Sequence, residues 1–251
     1  LANVMHIVLK LTGLLLLGLA PFSWGEGESQ SLNKDIIFLG ANVPPFSWRE
    51  DDEIIGINIE IAQQAAHASG FSAHSKIVPL KRAFQIIETH QNHFLVGLAR
   101  TPERERHFKW VKPLITTRIG MLRWQPDPIS ANDIRAEVCA HYGTPMEHWL
   151  KTHNHPDYII VNDEEACFQL LTNGLVKYWF TEMHLAQYLI KQKELDTNNL
   201  IEEKIIMSPQ LFLATSLNTS DTVINPIKNQ LGIMKEKGIF EKIINRYIKN
   251  Y

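Results

Sequence analysis

The chain has 251 residues, of which 45% are hydrophobic and 21% charged, enough for one large domain or two lobes of about a hundred residues each. A formal net charge of −2, with no long basic block, excludes the electrostatic footprint of a nucleic-acid-binding protein and leaves a small molecule as the expected partner.

The N-terminal stretch reads Met5-His6-Ile7-Val8-Leu9-Lys10, then an apolar run from Leu11 to Leu19, Pro21 and the small-x-small triplet Ser23-Trp24-Gly25. The run is well short of the ~20 residues that cross a bilayer, so residues 1–25 read as a cleaved export leader. No cysteine sits just after it, which argues against a lipid anchor, and no later segment is apolar for long enough to span a membrane. The expectation is a soluble periplasmic protein.

Asp35 to Leu39 forms a short apolar strand, followed by the loop Pro44-Pro45-Phe46-Ser47-Trp48 and an acidic turn at Glu50 to Glu53. Ile57, Ile61 and Ala65 recur at helical spacing up to Gly70, and Leu80, Ala83, Phe84 and Ile87 mark a second helix before a strand at Phe94 to Leu98. Strands alternating with helices predict βαβ units and a parallel sheet. Ile119 to Trp124 is a further strand, and the turn-rich break Gln125-Pro126-Asp127-Pro128 is where the chain is expected to cross into a second lobe.

The same rhythm restarts with a strand at Glu137 to Tyr142 and with Thr144-Pro145-Met146-Glu147, a capping box with proline at the first helical position. Asn162 to Glu165 opens another helix ending near Gly174, Val176 to Phe180 is a strand, and Glu182 to Lys191 a helix. A polar stretch from Lys193 to Lys204 precedes the apolar run Leu211 to Ala214, read as the return crossing. Two helices close the chain, with Gly238 between them. The boundaries are 33–122 and 209–251 for lobe 1 and 123–208 for lobe 2, so the first lobe is discontinuous in sequence.

The residues with most to say about function are Arg100-Thr101-Pro102-Glu103-Arg104. Two guanidiniums at the end of a buried strand place forked donors where a sheet presents its loops, which is how carboxylates are held. A solvated turn neutralised by Glu103 and Glu105 is the other possibility. Cys139 and Cys167 are either bridged, as an oxidising compartment permits, or two small buried residues.

In order and spacing, Pro44-Pro45-Phe46, Gly56, Lys81-Arg82, Thr101-Pro102-Glu103-Arg104, Gly143-Thr144, Asn173-Gly174 and Lys237-Gly238-Ile239-Phe240 with Tyr247 resemble the bacterial extracellular solute-binding proteins of family 3. These are periplasmic receptors of polar amino-acid ABC importers. The resemblance implies an α/β, two-lobed type II periplasmic-binding fold with two crossing strands and C-terminal helices returning to the first lobe. It further implies that Arg104 grips a ligand carboxylate, that Glu182 takes an ammonium from the opposite lobe, and that Thr144 opens a helix whose backbone donates to ligand. Arg82 is expected to face the cleft, Arg100 to add a second positive charge that makes a dicarboxylate plausible, and Phe46 and Trp48 to supply apolar surface. No cofactor, metal or chemistry is implied, and the expected partners are a small carboxylate-bearing solute and an inner-membrane permease served by a monomeric receptor.

The chain departs from the family pattern at several points. An acidic residue usual near His93 is missing, Lys177 stands where aspartate is common, and Gly97, Leu98 and Ala99 replace hydroxyl residues. Rival readings are an orphan or sensory binding protein and a cyclohexadienyl-dehydratase-like enzyme on the same scaffold. A metal loop built from His148, His153 and His155 reads better as a solvated loop.

Overall fold

The computed structural model describes residues 35–125 and 136–249. The leader at 1–25 and most of the Gln125 to Pro128 break lie outside the described residues. The first apolar run is β1 (Asp35–Gly40), and the acidic turn joins a short hairpin of β2 (Trp48–Glu50) and β3 (Glu53–Ile55). Then come α1 (Ile57–Ala68), β4 (Ser72–Ile77), α2 (Leu80–Thr89), β5 (His93–Ala99) and β6 (Lys109–Thr116). The middle of the chain forms β7 (Ile119–Trp124), β8 (Ala136–His141), α3 (Pro145–Thr152), β9 (Tyr158–Val161), α4 (Glu164–Thr172), β10 (Val176–Glu182), α5 (Met183–Gln192) and β11 (Leu200–Met207). It closes with β12 (Gln210–Thr215), α6 (Asp221–Glu236) and α7 (Ile239–Ile248).

Two five-stranded sheets result, in the orders β4-β1-β5-β12-β6 and β11-β7-β10-β8-β9. In each, three strands are parallel, as the βαβ rhythm predicts, and the crossing strands add antiparallel neighbours. β7 pairs with β10 and β11, so Ile119 to Trp124 belongs to the second sheet. The first crossing is therefore Thr117–Arg118, between β6 and β7, which corrects its expected place in the Gln125 to Pro128 break. A chain that runs straight from one sheet into another needs no turn chemistry, so the proline-rich break was the stronger but less relevant signal. Likewise Leu211 to Ala214 lies in β12 of the first sheet, and the return passes through Ser208–Pro209.

Both sheets bury both faces. On β10, Trp179 packs with Phe168 and Leu171 on one side, while Phe180 packs with Met121 and Leu150 on the other. The period-2 geometry of a strand requires this split. On β5 the same alternation is broken once. Phe94 and Val96 join the core under α1 and α6, whereas Leu95 and Leu98 both face α2. Gly97 is the reason: Phe212 pairs with Leu98 and Leu213 with Val96, so Gly97 is an extra residue in the ladder, a bulge that resets the phase.

The C-terminal helix is tied back to the first lobe. The Tyr247 hydroxyl donates to Glu60 and accepts from the Gly56 N–H at 3.2 Å, and Arg246 pairs with Glu60. Burial and the neighbouring Glu60 carboxylate push the Tyr247 pKa well above the usual phenol range. In the second lobe Cys139 and Cys167 are bonded, joining β8 to α4. Their sequence separation of 28 corresponds to about 3–4 kcal/mol of restricted unfolded-state entropy. Replacing both by alanine is expected to cost that amount in urea unfolding followed by tryptophan fluorescence.

Candidate functional site

A cavity of about 340 Å³ opens between the lobes, where β5 and β10 end. Its floor is the pair of crossings. Thr117 donates both its N–H (3.0 Å) and its hydroxyl (3.2 Å) to the Pro209 carbonyl, so the two passages run side by side. The first lobe contributes Phe46, Asn58, Leu80, the end of β5 from Leu95 to Ala99, and Arg104; the second contributes Ile119, Pro145 and Glu182. This is the carboxyl-end position at which α/β sheets hold ligands.

Arg104 lies on the turn after β5, closed by its N–H bonding the Thr101 carbonyl at 3.0 Å. Its guanidinium stacks over the Phe84 ring at 5.6 Å and donates through Nη1 to the Ala99 carbonyl at 3.0 Å. Those contacts orient the fork into the cavity without neutralising it: among the described residues no carboxylate lies within ion-pair distance of Arg104. Arg100, only four residues earlier, has the opposite fate. It forms a two-pronged pair with Glu105 at 2.7 and 2.5 Å and lies between the Trp110 and Phe212 rings, 5.5 Å from each. The pairing raises the Arg100 pKa and lowers that of Glu105. The structure does not bring Arg100 to the cavity, and the second ligand-facing charge read from sequence is withdrawn.

Glu182 is at the cavity, as the last residue of β10 and the N-cap of α5. It is only 7% exposed and its oxygens are largely committed: Oε2 accepts from the Leu185 N–H at 2.8 Å, and Oε1 bonds His184 Nδ1 at 2.7 Å and the Arg118 N–H at 3.4 Å. Phe46 also lines the cavity and meets His184 edge-on across the lobes, with centroids 6.1 Å apart. It is held there by Gly56, where φ is +128° and a Cβ would come 2.5 Å from the Phe46 carbonyl oxygen.

Three further residues expected at the site, Trp48, Arg82 and Thr144, are not among those that line the cavity. Trp48 is wedged between Tyr188 and Tyr247, with centroids 5.4 and 5.5 Å away, so it packs the lobes together behind the cavity and does not line it. Arg82 is exposed on the surface of α2, away from the lining. Thr144 spends its hydroxyl on its own helix, donating to the His141 carbonyl at 2.6 Å and accepting from the Glu147 N–H; its neighbour Pro145 is the residue that reaches the cavity. The histidine cluster disperses. His153 stacks on Trp149 at 4.2 Å, and among the described residues no group of three or more His, Cys, Asp or Glu side chains is placed to hold a metal ion.

Sequence reading missed Asn58 and His184. Asn58, in the first turn of α1, is 1% exposed, lines the cavity, and its Oδ1 has no hydrogen-bond partner. An asparagine near a helix start normally reads as a cap, so nothing in the sequence marks it as cavity-facing.

Over residues 36–250 the sequence matches the bacterial extracellular solute-binding proteins, family 3. The chain belongs to this family. Among solved structures, this solute-binding protein resembles substrate-binding domain 2 of Lactococcus lactis GlnP in its open conformation, with a TM-score of 0.71, 19% identity, and coverage of 87% of this chain and 97% of that one. An ancestral cationic amino-acid solute-binding protein, AncCDT-1, gives a TM-score of 0.71 at 20% identity, covering 86% and 96%. A histidine kinase sensor domain with similarity to periplasmic binding proteins gives 0.61 at 16% identity, covering 86% and 96%. At these identities the likeness speaks for the two-lobed type II fold. No curated protein matches the sequence. Among the described residues no helix is long and apolar enough to cross a membrane.

The Gly97 bulge sets the cavity wall, and its φ of +76° would be strained in any other residue; a Cβ there would come 2.5 Å from Asn58 Nδ2. Gly97→Ala is expected to lower stability by about 1–3 kcal/mol, read as a shift of the urea unfolding midpoint.

Proposed function

We propose that this solute-binding protein captures a small carboxylate-bearing solute, amino-acid-like in its carboxylate end, between its two lobes, with Arg104 forking onto the carboxylate. The observation that carries the proposal is the contrast between the two arginines of one turn: Glu105 neutralises Arg100, while Arg104 lines the cavity and, among the described residues, has no carboxylate within ion-pair distance. Charge-assisted hydrogen bonds contribute roughly 1.5–3 kcal/mol each, whereas micromolar affinity needs about 8 kcal/mol. The remainder must come from apolar contact with Phe46 and its neighbours. A solute touching both lobes is bound fully only when they close, so it shifts the open–closed equilibrium toward closed, and closure is what a membrane partner can read.

Among the described residues Glu182 is the one carboxylate in the cavity lining, and it is already tied to Leu185, His184 and Arg118. The carboxylate opposite Arg104 is thus engaged in the scaffold, which favours binding without chemistry. Export to the periplasm is supported by the apolar leader at 1–25 and by the Cys139–Cys167 bond, since disulfides persist in oxidising compartments. Delivery to an ABC permease by a monomer is the role we assign. The likeness to a histidine kinase sensor domain favours signalling as the second choice, and uptake of labelled solute by cells with and without the gene separates the two.

In calorimetry with the bound acid, Arg104→Ala is expected to weaken affinity about 100-fold or more, two lost charge-assisted bonds. Arg100→Ala is expected to leave it within about threefold, since that charge is spent on Glu105. Equal affinities for the wild type and Arg104→Ala would overturn the proposal.

A further inference from the structure

Building on the proposed carboxylate capture, we infer that the solute is a monocarboxylate with an apolar body, of the kind carried by leucine, methionine or phenylalanine, and not a dicarboxylate or an acid with a polar side chain. The inference rests on which polar groups of the cavity remain unspent. Five polar side chains line it: Ser47, Asn58, Arg104, Thr117 and Glu182. Ser47 donates to the Ala41 carbonyl at 2.6 Å, and Thr117 to the Pro209 carbonyl at 3.2 Å. Glu182 caps α5 and bonds His184. Arg104 and Asn58 are what remains. One guanidinium serves one carboxylate, and Asn58 lines the cavity with an amide whose buried Oδ1 has no hydrogen-bond partner among the described residues.

Nothing is then left for a polar side chain. The side chains of the rest of the lining are apolar, with Val43, Phe46, Leu80, Leu98, Ile119 and Leu211 the large ones, and against them an amide, guanidinium or second carboxylate would lose its water without a side-chain partner. An aliphatic or aromatic body loses nothing there and gains the transfer of its surface out of water. Val43 and Leu80 strengthen the case. They are among the few large apolar residues exposed to solvent, at 42% and 40%, and both belong to this cavity, so the apolar lining extends outward to the mouth.

Leucine and asparagine have nearly the same shape and differ in whether the branch is apolar or an amide, which makes them the decisive pair. The purified protein would be titrated calorimetrically with leucine, methionine, phenylalanine, asparagine, glutamine, arginine, aspartate and glutamate, alongside Arg104→Ala and Arg104→Gln variants checked for folding by circular dichroism. The expected result is that at least one apolar acid binds about tenfold or more tighter than every polar one, with leucine ahead of asparagine, and that both variants lose it. A polar or dicarboxylic acid that binds as tightly or tighter, and is lost in the Arg104 variants, would overturn the apolar preference while leaving carboxylate capture intact. Binding that survives in both variants, or no binding by any acid in the set, would overturn both.

Discussion

The chain passes between its two sheets at one place, and the bonding of Thr117 to the Pro209 carbonyl holds the outgoing and returning passages together. The passages are adjacent, and the cavity forms directly over them. Glu182 fixes the second lobe to the same crossing, since its carboxylate caps α5 and also accepts from the Arg118 backbone. A residue that looks like a ligand contact in sequence is thus first a joint in the scaffold. The cavity wall and the crossing share a side chain.

Electrostatics in the first lobe follow from a five-residue turn. Arg100 and Arg104 have the same chemistry and nearly the same sequence neighbourhood, yet one is a structural pair and the other an open donor. Geometry accounts for the difference. The 3₁₀ turn at Glu105–His107 returns Glu105 to Arg100, and the rings of Trp110 and Phe212 then flank the pair. Arg104 stacks on Phe84 and donates to the Ala99 carbonyl, and among the described residues no carboxylate lies within ion-pair distance of it. A guanidinium held by a ring face and one backbone oxygen is oriented but not neutralised, which suits capture of an anion.

The bulge at Gly97 has a similar double role. It turns Leu98 toward α2, so that β5 contributes to both cores of the first lobe, and it brings the backbone close to the Asn58 amide. The Oδ1 of Asn58 is buried there and has no hydrogen-bond partner among the described residues.

The sequence was most legible where strands are buried on both faces and helices on one. β1, β5, β8 and β10 announce themselves as apolar runs, and α1, α2 and α6 by their spacing. Of the strands that escaped notice, β4, β6, β9 and β11 lie at the edges of the five-stranded sheets, and β2 and β3 form a two-stranded sheet of their own. Ser72–Ile77 alternates exposed and half-buried residues, and Leu200–Met207 carries Glu202, Glu203 and Lys204, a composition that discourages edge-to-edge pairing and hides the strand from a search for hydrophobic runs. By itself the sequence determined the alternating architecture, the family and the candidacy of Arg104, because these depend on local periodicity and short motifs. Only the tertiary structure decided where the lobes cross, that Cys139 meets Cys167, that Trp48 and Arg100 are spent on packing and pairing, and that Asn58 faces the cavity. Each of those depends on which distant groups arrive beside a given side chain, and a hydrogen bond or ion pair formed there removes that group from the ligand's reach.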